Sequence, residues 1–259
     1  LSDPSVGRLL HDQRVAREGF GLARASARDT DIDQDDWSLR RRPEGRFLAR
    51  IDTNEYAFDL VFEPTQPVLL QGLEGYSRKG PAPRQASRYY TLPQLAVSGT
   101  VRRGRRDMRV GGRAWLDREW SSTLLDPKAV GWDWTGINLD DGGALMAFQV
   151  RNAAGGAVWA GATLRNADGS VRRFAPSEVK FTSLRTWRSP RTAAAYPVER
   201  VVTLRQPGFA RSFRLTPLFD DQELDSRVAA GPVYWEGAVT TAGGRGYLEL
   251  TGYVAPLRL

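Results

Sequence analysis

Hydrophobic and polar positions alternate with a period of two along most of this chain. Tyr56, Phe58, Leu60 and Phe62 alternate with Ala57, Asp59, Val61 and Glu63 until Pro64 ends the run, as in a strand with one buried face. The same reading predicts strands over 47–51, 94–102, 108–120, 131–139, 144–151, 157–165, 179–184, 198–204, 212–217, 233–240 and 246–254. Helices are predicted only over 5–17 and 218–226. The connectors Asp140-Asp141-Gly142-Gly143, Asn166-Ala167-Asp168-Gly169 and Ala242-Gly243-Gly244 supply the glycines that tight hairpins need at positive φ. Many short-linked strands imply an all-β, antiparallel sandwich or barrel fold.

The alternation lapses over 121–129 and resumes at Gly131. We therefore place a boundary near residue 125, giving an N-terminal domain over 1–125 and a C-terminal one over 126–259. With 259 residues, 41% of them hydrophobic, the chain can bury a sizeable core. No stretch approaches the roughly 20 apolar residues of a membrane-spanning helix. Leu1 stands where an initiator Met would, which implies an upstream portion outside this sequence.

Composition narrows the chemistry. The chain has no cysteine and one histidine, so disulfides, thiolate catalysis and multi-histidine metal sites are excluded. His11 sits in a polar, Arg-rich stretch and reads as a surface residue. No metal site is expected, and any catalysis must use carboxylates, Tyr, Arg, Lys or the backbone. The net charge of +7 is carried mostly by arginines in short runs, such as Arg40 to Arg42 and Arg102 to Arg106. These runs are dispersed, without a continuous basic face or a nucleic-acid motif, so no nucleic-acid partner is expected.

Two segments carry the candidate chemistry. In Arg113 to Trp120 the alternation puts Trp115, Asp117 and Glu119 on one face, with Ala114, Leu116, Arg118 and Trp120 on the other. Two carboxylates roughly 6.5 to 7 Å apart along a strand raise each other's pKa, and an apolar cavity would raise it further. In Gly131-Trp132-Asp133-Trp134, Trp132, Trp134 and Asn138 share a face opposite Asp133 and Thr135. The competing reading makes the tryptophans core and pairs Asp117 and Asp133 with arginines such as Arg113, Arg118 or Arg151.

Longer motifs carry a resemblance. L-L-Q-G-L-E-G-Y-S-R-K-G (Leu69 to Gly80), A-S-R-Y-Y-T-L (Ala86 to Leu92), G-x-A-W-L-D-R-E-W-S (Gly112 to Ser121) and G-W-D-W (Gly131 to Trp134) resemble the AttH/CrtC-like family. L-M-A-F-Q-V-R (Leu145 to Arg151), W-R-S-P (Trp187 to Pro190), D-Q-E-L (Asp221 to Leu224), Y-W-E-G-A-V (Tyr234 to Val239) and G-R-G-Y-L-E-L-T-G-Y (Gly244 to Tyr253) continue it. The resemblance implies two lipocalin-like antiparallel β-barrel domains side by side. The family's usual E-W-W-Y-like segment has no counterpart here, so the first barrel is expected to be incomplete.

For function, the resemblance implies an apolar lipid-, terpenoid- or carotenoid-like ligand. It also implies a periplasmic or secreted location, or a membrane-associated cytoplasmic one, and association with ABC-transporter components or a membrane surface. Relatives include carotenoid 1,2-hydratase, which hydrates an isoprenoid double bond without a cofactor, and proteins described as secreted hydrolases. A fold of this kind does not choose between carrier, hydratase, related cyclase or isomerase, and hydrolase. As a hydratase, the chain would use Asp117 as general acid and Glu119 or Asp133 to position water. Trp115, Trp132, Trp134 and Tyr90 would form an aromatic wall, and Arg78 and Lys79 would hold an anionic headgroup. Glycoside hydrolysis is disfavoured, because two acids on one strand seldom flank a substrate from opposite faces.

Overall fold

The computed structural model describes residues 1–123 and 125–257, almost entirely as β-structure. The first sheet contains β1 (Ala23–Ala25), β2 (Asp31–Gln34), β3 (Trp37–Arg41), β4 (Phe47–Asp52), β5 (Tyr56–Glu63), β6 (Leu69–Leu70), β7 (Tyr76–Arg78), β8 (Ala86–Arg103) and β9 (Arg106–Thr123). The second contains β10 (Ala129–Leu139), β11 (Ala144–Asn152), β12 (Ala157–Arg165), β13 (Val171–Phe174), β14 (Val179–Arg188), β15 (Ala195–Gln206), β16 (Phe209–Pro217), β17 (Glu223–Asp225), β18 (Val233–Thr241) and β19 (Gly244–Leu250). Every strand pairing is antiparallel, and the resemblance's two lipocalin-like barrel domains describe the architecture.

The first sheet runs β1-β2-β3-β4-β5-β8, and the 18-residue β8 takes β9 as a further partner. Its core is Phe47, Leu92 and Leu95, with Leu39, Phe62, Ala114 and Leu116 packed against them. β9 pairs only with β8 among the described strands, so the sheet is open at that edge. The second sheet runs β13-β12-β11-β10-β19-β18-β16-β15-β14. Its larger core includes Ile137, Leu145, Ala147, Val202, Leu204, Trp235, Leu248 and Leu250. Burying that apolar face accounts for the alternation in β18 and β19.

The two predicted helices are absent. Residues 1–10 form a hook: Ser2 bridges to Leu9, Arg8 bridges to Asp221 and the buried Leu10 donates to the carbonyl of Leu1. Residues 218–222 are irregular and 223–225 form β17 against β18. Helix propensity lost in both places to long-range backbone bonds, from Leu9 N–H to the Asp221 carbonyl at 2.8 Å and from 218–225 to β18. The strand predicted over 246–254 ends earlier, at Leu250. Strands β1 to β3, β6, β7, β13 and β17 had no period-two signature long enough to read.

The sheets meet across an interface with both polar and apolar parts. At the β8 bulge, Gln94 turns toward the β10–β11 hairpin. Its backbone N–H meets Asn138 Oδ1 at 2.8 Å, and its side-chain amide donates to the Leu139 and Gly143 carbonyls. Beside this lock lies an apolar cluster drawn from both sheets, with Tyr89, Met146, Phe148 and Val150 at its centre and Trp115, Leu125 and Trp134 around it.

Candidate functional site

A cavity of about 430 Å³ lies within that interface, lined by Lys79, Tyr89, Trp115, Asp117, Glu119, Leu125, Trp132, Trp134, Phe148, Val150, Glu236, Tyr247 and Glu249. Its size falls within the range of about 300–1000 Å³ typical of small-molecule sites. β8 and β9 form one wall and β10, β11, β18 and β19 form the other. The cavity is therefore built from the outward face of the second sheet, since Ile137, Leu248 and Leu250 point into that sheet's own core.

On the first wall, register decides which side chains enter. Tyr89 pairs with Glu119 and Thr91 with Asp117, so these four share the cavity face together with Trp115. Asp117 Oδ1 accepts from Thr91 Oγ1 at 2.6 Å and from Trp115 Nε1 at 2.9 Å. Thr91 Oγ1 in turn accepts from Gln71 Nε2 at 2.9 Å. Asp117 stands on the open β9 edge, an exposed residue whose side chain lines the cavity. Desolvation against the packed walls pushes its pKa up to about 6, although Thr91, Tyr89 and Trp115 donate to it and favour the anion. Asp117 has no ion-pair partner among the described residues.

Glu119 is held differently. Lys79 Nζ lies 2.8 Å from Glu119 Oε1 and packs over the rings of Phe148 at 4.1 Å and Tyr89 at 4.7 Å. Burial lowers the Lys79 pKa while Glu119 opposes that shift. Ser87 donates to the same Glu119 oxygen. Glu119 is thus the partly exposed partner of the buried Lys79.

The opposite wall carries a second pair of acids. Glu236 on β18 and Glu249 on β19 are direct cross-strand partners, a placement in which like charges repel. Burial, reinforced by Glu236, pushes Glu249 up to about 8, and only the Trp132 indole N–H, 3.1 Å from Oε1, favours its anion. Glu236 is raised as well, by burial. At pH 7 the cavity thus holds a mostly ionised Asp117 and a mostly protonated Glu249, an acid and a base separated by environment alone.

Trp134 completes the join between the walls, donating from Nε1 to the Tyr89 hydroxyl at 3.1 Å and meeting Trp115 edge to face. Gly136 makes room for this. A Cβ there would sit 2.6 Å from the Trp134 ring and 2.8 Å from the Trp115 ring. Among the described residues, no group of three or more His, Cys, Asp or Glu is placed to hold a metal ion.

Of the residues singled out in the sequence, Trp115, Asp117, Glu119, Trp132, Trp134 and Lys79 meet in the cavity. Three do not. Asp133 faces the other way, fully buried, accepting from Arg151 Nε at 2.9 Å, Gln149 at 2.6 Å and Tyr253 at 2.9 Å, and paired also with Arg200. That is the arginine pairing of the competing reading, with Arg151 as one partner. Tyr90 lies on the opposite face of β8, where it packs edge to face on Trp120. The strand's parity sends Tyr89 inward instead. Arg78 lies outside this cavity: it stacks over Trp159 at 4.3 Å and donates from Nη2 to the carbonyls of Gly80 and Pro81, while its buried Nε has no hydrogen-bond partner among the described residues.

Sequence reasoning missed Tyr89, Phe148, Glu236, Tyr247 and Glu249. A signal for the acids existed, since a two-residue turn at Ala242-Gly243 fixes the hairpin register and sets Glu236 opposite Glu249.

Residues 1–253 match the AttH-like family, and the chain belongs to it. A crystal structure from Nitrosomonas europaea described as an AttH protein superposes with a TM-score of 0.91 at 52% identity, over 97% of this chain and 79% of that one. The crystal structure of kievitone hydratase from Nectria haematococca superposes with a TM-score of 0.67 at 18% identity, over 85% of this chain and 69% of that one. No curated protein matches the chain.

Proposed function

We propose that this AttH-like family member is a cofactor-independent hydratase that adds water across, or removes it from, an alkene borne on an apolar body. The observation that supports this reading is the pairing, within one aromatic-walled cavity, of Glu249, with a pKa pushed up to about 8, and Asp117, at about 6. The hydratase activity in the name of the Nectria haematococca protein, which shares the fold, is in keeping with it.

In the hydration direction, the Glu249 carboxyl protonates one alkene carbon, the π pair forming the new C–H bond. The adjacent carbon becomes cationic. The rings of Trp115, Trp132 and Trp134 and the ionised carboxylates stabilise that charge. A water molecule adds, and Asp117 takes the proton it loses. The elements of water are consumed and no electron changes hands, so no cofactor enters. Glu249 is regenerated by proton return. Glu249 thus takes the role that the sequence assigned to Asp117, because Asp117 is held as an acceptor by Thr91 and Trp115.

A carrier of a neutral apolar ligand needs the cavity alone. Placing three carboxyls without ion pairs among the described residues, Asp117, Glu236 and Glu249, in its wall then costs stability without a return in binding, which favours chemistry over transport. The test is incubation with a panel of terpenoid and phenolic prenyl alkenes, followed by mass spectrometry for gain of water. Hydration of at least one, with a bell-shaped pH dependence whose limbs fall near 6 and 8, is the expected result. No product across the panel in either direction refutes the reading.

A further inference from the structure

The two ends of the cavity have like chemistry and unlike occupancy. At one end an ammonium group is already bound: Lys79 Nζ sits over Phe148 and Tyr89 and against Glu119. At the other end Trp132 and Tyr247 stand beside Glu236 and Glu249. There the carboxyls have no cationic partner among the described residues. Glu249 uses one oxygen to accept from Trp132, leaving the other available within the cavity. The protein's own lysine thus shows what this lining accommodates.

We propose that the Trp132, Tyr247, Glu236 and Glu249 end of the cavity binds an organic ammonium ion carried on an apolar body, and that binding releases a proton from the carboxyl pair. Aromatic rings and a carboxylate together favour a weakly hydrated quaternary or tertiary ammonium over a small metal ion, which needs several converging oxygens. The apolar body would lie against Trp115, Trp134 and Val150, which line the same cavity. No covalent step is involved. The carboxyl gives its proton to solvent and the ammonium takes its place as the compensating charge.

The cavity is shared with the hydration reading, but the inference does not rest on it. An ammonium ligand binds there whether or not an alkene is hydrated, and under the hydration reading it mimics the cationic intermediate.

The probes are benzyltrimethylammonium and its neutral isostere neopentylbenzene, titrated calorimetrically into the protein at pH 7 in two buffers of different ionisation enthalpy. The expected result is a preference for the cation on the order of 10-fold or more. Close to one proton should be released per ammonium bound at pH 7, and markedly fewer at pH 9. Glu249→Gln should remove both the preference and the proton release. Equal affinity for the two probes, failure to bind either, or binding without proton release at pH 7 overturns the proposal. Should the variant not fold, the proton count on the unaltered protein decides alone. Loss of hydration activity together with intact ammonium binding would sink the hydratase and leave this site standing.

Discussion

Replacing Glu249 by Gln keeps the shape and the acceptor for Trp132 while removing the titration. With its pKa pushed up to about 8 from an ordinary 4.5, Glu249 binds a proton more tightly in the folded protein than in the unfolded chain. Between these values the folded state holds the extra proton, so stability falls as pH rises through the window and levels off above 8. Below 4.5 the group is neutral in both states and contributes no pH dependence. At pH 7 the difference amounts to on the order of 3 kcal/mol of lost stability, and nearer 5 at pH 9. Glu249→Gln should therefore match the parent near pH 4.5 and exceed it by a few kcal/mol at pH 9. Urea unfolding followed by tryptophan fluorescence at pH 5, 7 and 9 measures this directly. Parallel pH curves for parent and variant would refute the reasoning, because they would mean that the carboxyl ionises as it does in water.

Four further substitutions, one of them a control, separate chemistry from scaffolding. Asp117→Asn should fold normally and lower kcat/KM for hydration by about 100- to 10,000-fold, as loss of a general base does, with circular dichroism confirming the fold. Asp133→Ala should cost about 3–5 kcal/mol in urea unfolding, because it strands the buried Arg151 and Arg200; the Arg-free control Tyr90→Phe should cost far less. Gly136→Val should displace the Trp115–Trp134 contact, costing about 1–3 kcal/mol and shifting the tryptophan emission, whereas an unchanged spectrum would contradict the packing described.

Alternation made half of the site legible. Trp115, Asp117 and Glu119 could be assigned to one face because β9 is a long strand with few interruptions, and Trp132 and Trp134 to one face of β10 for the same reason. What alternation could not supply was the identity of the opposing surface. In β18 the pattern puts Trp235, Gly237 and Val239 inward, so Glu236 reads as facing solvent. It is half-buried because the first sheet docks on that face. The same docking converts Glu249 from an ordinary surface acid into the most perturbed carboxyl of the cavity. Asp133 illustrates the opposite error. Its proximity to two cavity tryptophans in sequence suggested a role beside them, but a neighbouring residue in a strand points the other way, here into a cluster with Arg151, Arg200 and Tyr253. Tyr90 and Tyr89 differ by the same single step. The helices predicted over 5–17 and 218–226 failed for a related reason, since Leu9 bonds to the Asp221 carbonyl and 223–225 pair with β18, contacts that no local pattern records.

In the proposed hydration, Glu249 is the acid that delivers the first proton. Incubating the protein at pH 7 in ¹⁸O-labelled water with an alkene it accepts, beside the Glu249→Gln variant, tests this directly. The account predicts labelled alcohol from the parent and label reduced at least 100-fold in a folded variant. Undiminished labelling by the variant would contradict it.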